Sequence, residues 1–256
     1  GPRAKGMAAS QPVLSMAVQE FLRRPGKSFR PMVVLLMGQA ARATPLADGA
    51  AAPGDEELRR KHMRLAELTE MMNIASVIHD DVLDEQSEEP AAEHAEPEDE
   101  GDSESGGAGA ARAAPRAGNI VHQMYSPNVG NKVSILAGDF LLARSAVELS
   151  QLQNPAVVEI MAGALEAIVQ GGMLRTEALM AGRLHVGAYC ERVGAKTAQL
   201  IANACQCAAL LAGHAVGSEV ALAAESYGAN LGMAYQIVHD LRAYNATATH
   251  PPGKED

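Results

Sequence analysis

From Glu56 to Asp84 the chain reads EELRRKHMRLAELTEMMNIASVIHDDVLD, without a glycine or proline. That is room for about eight helical turns, far beyond the usual length of a strand. Its leucines, methionines and isoleucines recur at helical spacing. A chain organised around such a segment must bury its apolar side against other helices. The remaining stretches offer them: 11–24 up to Pro25-Gly26, 28–43 with Pro31 near its start, 132–152 after the turn-like SPNVGN, and 155–170 before Gly171-Gly172. Two longer ones follow, 189–212 closed by Gly213 and 218–244, and then NATATHPPGKED reads as a polar tail. Hydrophobic residues are 47% of the 256, but there are five Tyr, three Phe and no Trp. The core is therefore aliphatic, and the expected fold is all-α, an antiparallel helix bundle with a site at one end of its core.

Charge is unevenly placed. Residues 85–104 hold ten acids and no Lys or Arg, which accounts for the whole formal net charge of −10. With the SGGAGAARAAP that follows, 86–116 is predicted to be a solvated, disordered insertion. The neutral remainder gives no reason to expect nucleic acid. Cys190, Cys205 and Cys207 form no CxxC pattern and are expected as buried reduced thiols. No apolar run is expected to cross a membrane.

The long helix ends in three carboxylates. Asp80 and Asp84 are i and i+4 on one face, with Asp81 beside them. Like charges repel at that spacing, and acids oppose the dipole at a helix C-terminus. A bound cation would offset both effects. Mg²⁺ prefers oxygen ligands and bridges carboxylates to phosphates. Basic residues lie elsewhere: Lys27 and Arg30 in GKSFRP at a helix start, which itself favours an anion, Lys132 in GNKVSILAGDF, and Lys196 in GAKTAQL.

Taken in order, GKSFRP, ELTEMMNIASVIHDDVLD, GNKVSILAGDFLLA, GAKTAQLIANAC and AYQIVHD resemble the motifs of trans-isoprenyl diphosphate synthases, nearest to the long-chain polyprenyl members of solanesyl or decaprenyl type. The likeness runs over about residues 20–245, within a domain placed at 11–245. It implies an isoprenoid-synthase bundle with a deep central cavity. The reaction it implies is condensation of an allylic prenyl diphosphate with isopentenyl diphosphate. By the same resemblance, Asp80, Asp81 and Asp84 bind Mg²⁺, with Asp240 as a further metal ligand. Lys27 and Arg30 grip isopentenyl diphosphate, Lys196 neutralises the leaving diphosphate, and Thr197 and Gln236 lie beside it. A homodimer, or a heterodimer with a homologous subunit, is expected, in plastid or mitochondrion rather than cytosol.

Product length is a separate inference. Ser76 and Met72 stand one and two turns before Asp80, with Ala75 adjacent, and a turn rises about 5.4 Å. A prenyl tail passing along this face meets small residues first, so a long product is expected.

Departures from the family pattern qualify the activity. The second aspartate-rich motif is reduced to His239, Asp240 and Ala243, and a neutral imidazole is a poor Mg²⁺ ligand. Asn73 replaces an expected His, and Gly172 and Arg175 replace Glu and Gln. The insertion occupies the place of an Arg-Arg-Gly segment, leaving Arg116 in PRAG as its substitute, and the C-terminal helices of the family are expected to be missing. The alternative expectation is a non-catalytic or weakly active regulatory subunit of a heteromeric synthase.

Overall fold

The structure, a computed structural model, describes residues 29–47, 53–80, 82, 127–182 and 185–249. The predicted helix over 11–24 and the insertion at 86–116 lie outside them, as do Lys27, Asp81, Asp84 and Arg116. Helices follow in the order α1 (Phe29–Ala43), α2 (Asp55–Asp80), α3 (Pro127–Ser150), α4 (Pro155–Met180), α5 (Val186–Val193), a π-helical turn (Gly194–Ala198), α6 (Gln199–Leu211) and α7 (Glu219–Thr249). No strand occurs among the described residues.

The ends of the helices follow local chemistry. Helix α2 opens on Asp55, Glu56 and Glu57, acids that suit the positive end of the dipole, and Arg42 pairs with Asp55. Asn154 Oδ1 accepts from Val157 N at 3.3 Å ahead of Pro155 at the first position of α4. Ser218 caps α7 through Ala221 N. Helix α6 stops where Gly213 takes φ +106, and His214 N reaches back to Ala209 O at 3.2 Å.

Two compact units divide the chain, one containing Val77–Ala137, the other Arg23–Ser76 with Gly138–Asp256. In the first, the His79 ring lies 3.3 Å from the carbonyl of Ile135. The second holds the main core, and α6 is its axis. Leu200, Ile201, Ala204, Cys205, Cys207, Ala208, Leu210 and Leu211 are all buried there, against α1, α4 and α7. Helix α2 reaches the same axis through His62, whose Nε2 is 2.9 Å from Ala208 O. Arg64 of α2 pairs with Glu148 of α3 at 3.2 Å.

Glycine explains how an aliphatic core closes so tightly. A Cβ at Gly228 would lie 2.7 Å from Ile201 O, and one at Gly232 2.7 Å from Ala198 Cα, so α7 meets α6 and the π-helical turn backbone to backbone. The cysteines are free, with Cys205 and Cys207 buried and Cys190 only half-buried. Burial pushes the Cys205 thiol up to about 12 and Cys207 upward as well, so both stay protonated.

Several boundaries differ from expectation. The described helix α3 runs from Pro127, taking in PNVGN of the supposed turn, and α7 runs through Asn245 to Thr249, where a polar tail was expected. Helix α4 continues past Gly171-Gly172 to Met180. A Cβ at Gly171 would come within 2.8 Å of Lys196 N, so this glycine serves close packing instead of a stop. Over Pro155–Ala178, α4 is also long and apolar enough to cross a membrane by length and composition, contrary to the expectation. One such helix does not make a membrane protein, and Val157, Met161, Ala164 and Ile168 belong to the core.

Candidate functional site

The segment GAKTA was expected inside one regular helix. Instead Gln199 N bonds to Gly194 O, five residues back, forming a π turn between α5 and α6. Such a turn inserts one residue into the helical count and occurs often at functional positions. It carries Lys196 and Thr197, both half-buried.

Helix α7 faces this turn with a chain of hydrogen bonds. Thr197 Oγ1 donates to Gln236 Oε1 at 3.3 Å. Gln236 Nε2 donates to Asp240 Oδ1 at 2.7 Å. Tyr189 of α5 donates its hydroxyl to Asp240 Oδ2 at 2.7 Å, and His239 Nδ1 lies 3.4 Å from Oδ1. Burial acts to raise the Asp240 pKa, but the donors Tyr189, Gln236 and His239 outweigh it and hold the carboxyl below its ordinary value. The Tyr189 phenol is pushed up to about 12, first by burial and then by Asp240, so it remains a donor. The Arg192 guanidinium sits 5.3 Å from the Tyr189 ring centroid, and His185 caps α5 by accepting from Ala188 N.

One residue back along α7, Tyr235 belongs to a second group. Phe29 stacks on it with centroids 4.3 Å apart, and the Arg30 guanidinium lies 5.8 Å from its centroid. Arg30 Nε and Glu70 Oε2 are both buried without a hydrogen-bond partner. Burial pulls the Arg30 pKa down, while Glu70 and Tyr235 act in the opposite sense.

The structure thus brings Thr197, Gln236 and Asp240 together, with Lys196 on the same turn and Arg30 at the neighbouring residue of α7. Met72 and Ala75 are buried at 3% and 0% exposure. Ser76 Oγ donates to Asn73 O at 2.9 Å. Asp80, exposed, ends α2 in the other compact unit, and Lys132 is exposed near the start of α3. Among the described residues no three of His, Cys, Asp and Glu gather to hold a metal. Asp80 offers the hard oxygen donor that Mg²⁺ prefers. Asp240 fits less well, because both of its oxygens already accept hydrogen bonds from protein donors.

Sequence reasoning missed Tyr189, Glu70, Tyr235 and the π turn. Glu70 and Tyr235 lie inside the quoted motifs ELTEMMNIASVIHDDVLD and AYQIVHD and could have been found there. Tyr189 lies seven residues before Lys196, and no helical spacing survives the inserted residue.

The chain matches the model of the polyprenyl synthetase family over residues 11–88 and 116–255. It is 35% identical over 248 residues to solanesyl-diphosphate synthase 1, mitochondrial, of Oryza sativa subsp. japonica, covering 94% of this chain and 50% of the rice protein. It is 34% identical over 245 residues to solanesyl diphosphate synthase 3, chloroplastic/mitochondrial, of Arabidopsis thaliana, covering 94% and 50%. The solved apo form of an Arabidopsis medium/long-chain length prenyl pyrophosphate synthase superposes with a TM-score of 0.58 at 32% identity, covering 85% of this chain and 54% of that one. The chain spans about half the length of the curated relatives it matches.

Proposed function

Because the chain belongs to the polyprenyl synthetase family, we propose that it joins an allylic prenyl diphosphate to isopentenyl diphosphate, making a long-chain polyprenyl diphosphate. The observation that carries this reading is the π turn that carries Lys196 and joins Thr197 to Gln236.

The chemistry asks for positive charge at one place. Breaking the allylic C–O bond leaves an electron pair on the diphosphate and a cation on the prenyl carbon. The barrier falls when fixed charge meets the diphosphate as its charge grows. Lys196 does this, oriented by the turn. Arg30, assisted by Lys27, holds the isopentenyl diphosphate so that its double bond meets the cationic carbon. Arg30 supports that role because burial has stripped it of water and left its Nε without an acceptor. Asp80, Asp81 and Asp84 would hold Mg²⁺, which supplies charge neutralisation of the allylic diphosphate. Loss of a proton from the joined chain regenerates the double bond.

Ala75, Ser76 and Met72 are proposed to set product length along α2. Ala75→Phe and Ser76→Phe should shorten the product; an active variant with unchanged length overturns this. Organelle residence follows the names of the plant relatives, mitochondrial in one and chloroplastic or mitochondrial in the other.

A second reading is a subunit that supports a homologous catalytic partner. The bonded state of Asp240 favours it, since the second motif then lacks a free carboxylate for metal. Incubation with Mg²⁺, farnesyl diphosphate and labelled isopentenyl diphosphate separates the two. A long labelled product from the chain alone supports the synthase. Product only after adding a homologous subunit supports the second reading. Farnesyl diphosphate uptake that survives Asp80→Ala with Asp84→Ala overturns the proposed metal role.

A further inference from the structure

Resting on the synthase reading, we propose that Tyr189 is a positioning residue, which fixes the turn bearing Lys196 by way of Asp240 and the Gln236 amide. The argument begins with donor direction. An ionised carboxylate only accepts, so the Tyr189 hydroxyl and Gln236 Nε2 must both donate to Asp240, each at 2.7 Å. The amide is then unable to flip, because flipping would set Oε1 against the carboxylate. Gln236 Oε1 is left facing Thr197, whose hydroxyl donates to it.

Helix α7 therefore holds the α5–α6 segment at two points, Tyr189 and Thr197. Between them lies most of the π turn, Gly194–Ala198. A π turn is rare beside regular helix and occurs mostly as a single-turn bulge. If it relaxed by one residue, the residues beyond the slip would rotate by about 100° and shift about 1.5 Å along the axis. Two anchors eight positions apart fix the number of residues that must fit between them. Lys196 sits inside that interval. In this role Asp240 is the shared acceptor of the brace, and its negative charge is used within the protein. The single aspartate left in the second acidic motif then has a function that needs no metal.

Three substitutions test this. Tyr189→Phe keeps the ring beside Arg192 and removes only the hydroxyl. Asp240→Ala removes the acceptor. Asp240→Asn keeps the chain connected, because its carbonyl accepts from Gln236 and its amide donates to the Tyr189 oxygen. In steady-state assays with farnesyl and isopentenyl diphosphates, Tyr189→Phe and Asp240→Ala should lower kcat about tenfold or more, with KM for farnesyl diphosphate changed less than about twofold. Asp240→Asn should recover kcat to within about threefold of the unmodified protein, at the same Mg²⁺ half-saturation. Asp240→Asn as impaired as Asp240→Ala, with a raised Mg²⁺ requirement, would overturn the brace in favour of a metal ligand.

Amide hydrogen exchange of peptides covering Gly194–Ala198 reads the brace without turnover. Tyr189→Phe should accelerate exchange there on the order of tenfold, and unchanged exchange overturns the proposal. Unmodified protein that gives no product and no Mg²⁺-dependent uptake of farnesyl diphosphate rejects the synthase reading; exchange at the turn then decides the brace by itself.

Discussion

Arg30 and Asp240 are both half-buried charges, the first packed against α7 and the second carried by it, yet they have been treated in opposite ways. Asp240 accepts from Tyr189 and Gln236 with His239 close by, and its pKa stays low despite burial. Arg30 has lost solvent, its Nε has no hydrogen-bond partner, and its pKa falls. Burying an ionic group costs several kcal/mol unless partners replace water. At Asp240 the partners are present, which is what the proposed structural role of the charge requires. At Arg30 the cost is only partly offset by Glu70, which marks the place where an anion would gain most. A search for function by charged residues alone would have ranked the two alike.

The largest effect should fall on the residue held by the brace. Lys196→Gln removes the charge proposed to meet the leaving diphosphate, and kcat should fall by about 10² to 10³, read in single-turnover assays. A change confined to KM would mean that Lys196 only helps binding. Arg30→Gln sharpens the contrast with Asp240. It should raise the KM for isopentenyl diphosphate about 10- to 100-fold while leaving kcat within about threefold. A fall in kcat without a KM effect would place Arg30 among the structural charges.

Gly171→Ala attacks the brace from behind. Its methyl group would meet the Lys196 backbone at 2.8 Å. Overpacking of this kind costs about 1–3 kcal/mol, which should lower the melting temperature by several degrees, on the order of 2–4 °C per kcal/mol for a chain of this size. Gly172→Ala is the control, since a Cβ there meets nothing within 4 Å. Helix propensity alone favours alanine at both positions, so a loss at Gly171 beside a gain at Gly172 isolates the contact, and equal changes at the two would remove the argument from contact.

Much of this was legible before any coordinates. The Gly- and Pro-free run before DDVLD does form a long helix, and the family resemblance, though not any spacing, set Thr197, Gln236 and Asp240 near one another, as their hydrogen bonds do. What was not legible had a common cause. Gly171 reads as a helix stop because local propensity is all a sequence displays, while the demand for its missing Cβ comes from the backbone of another helix. Tyr189 was invisible because the π turn breaks the 3.6-residue count that links it to Lys196. The unpaired Nε of Arg30 depends on burial by α2 and α7, which no local pattern encodes. The family resemblance supplied roles for Arg30 and Asp240 but could not tell a spent charge from an unspent one.

His62 provides the smallest and most selective test of that distinction. It is buried at 6% exposure, and its Nε2 contacts Ala208 O at 2.9 Å. A Cβ on Gly38 would press within 2.5 Å of the ring. Burial lowers the His62 pKa below 6.5, only partly opposed by the Ala208 bond. The folded state therefore prefers the neutral ring. Below pH 6.5 the unfolded chain binds a proton that the folded one resists, so stability is complete above that pH and is lost as pH falls toward the lowered value. For one group the slope is at most about 1.4 kcal/mol per pH unit. His62→Gln can still donate to Ala208 O but cannot titrate. Urea unfolding at pH 7.5 and 5.5 should bring the midpoint of the unmodified protein down toward, or below, that of the variant at the lower pH. Parallel midpoints at both values would show that burial at His62 is as fully compensated as at Asp240, leaving Arg30 as the sole member of the pair carrying an unmet cost.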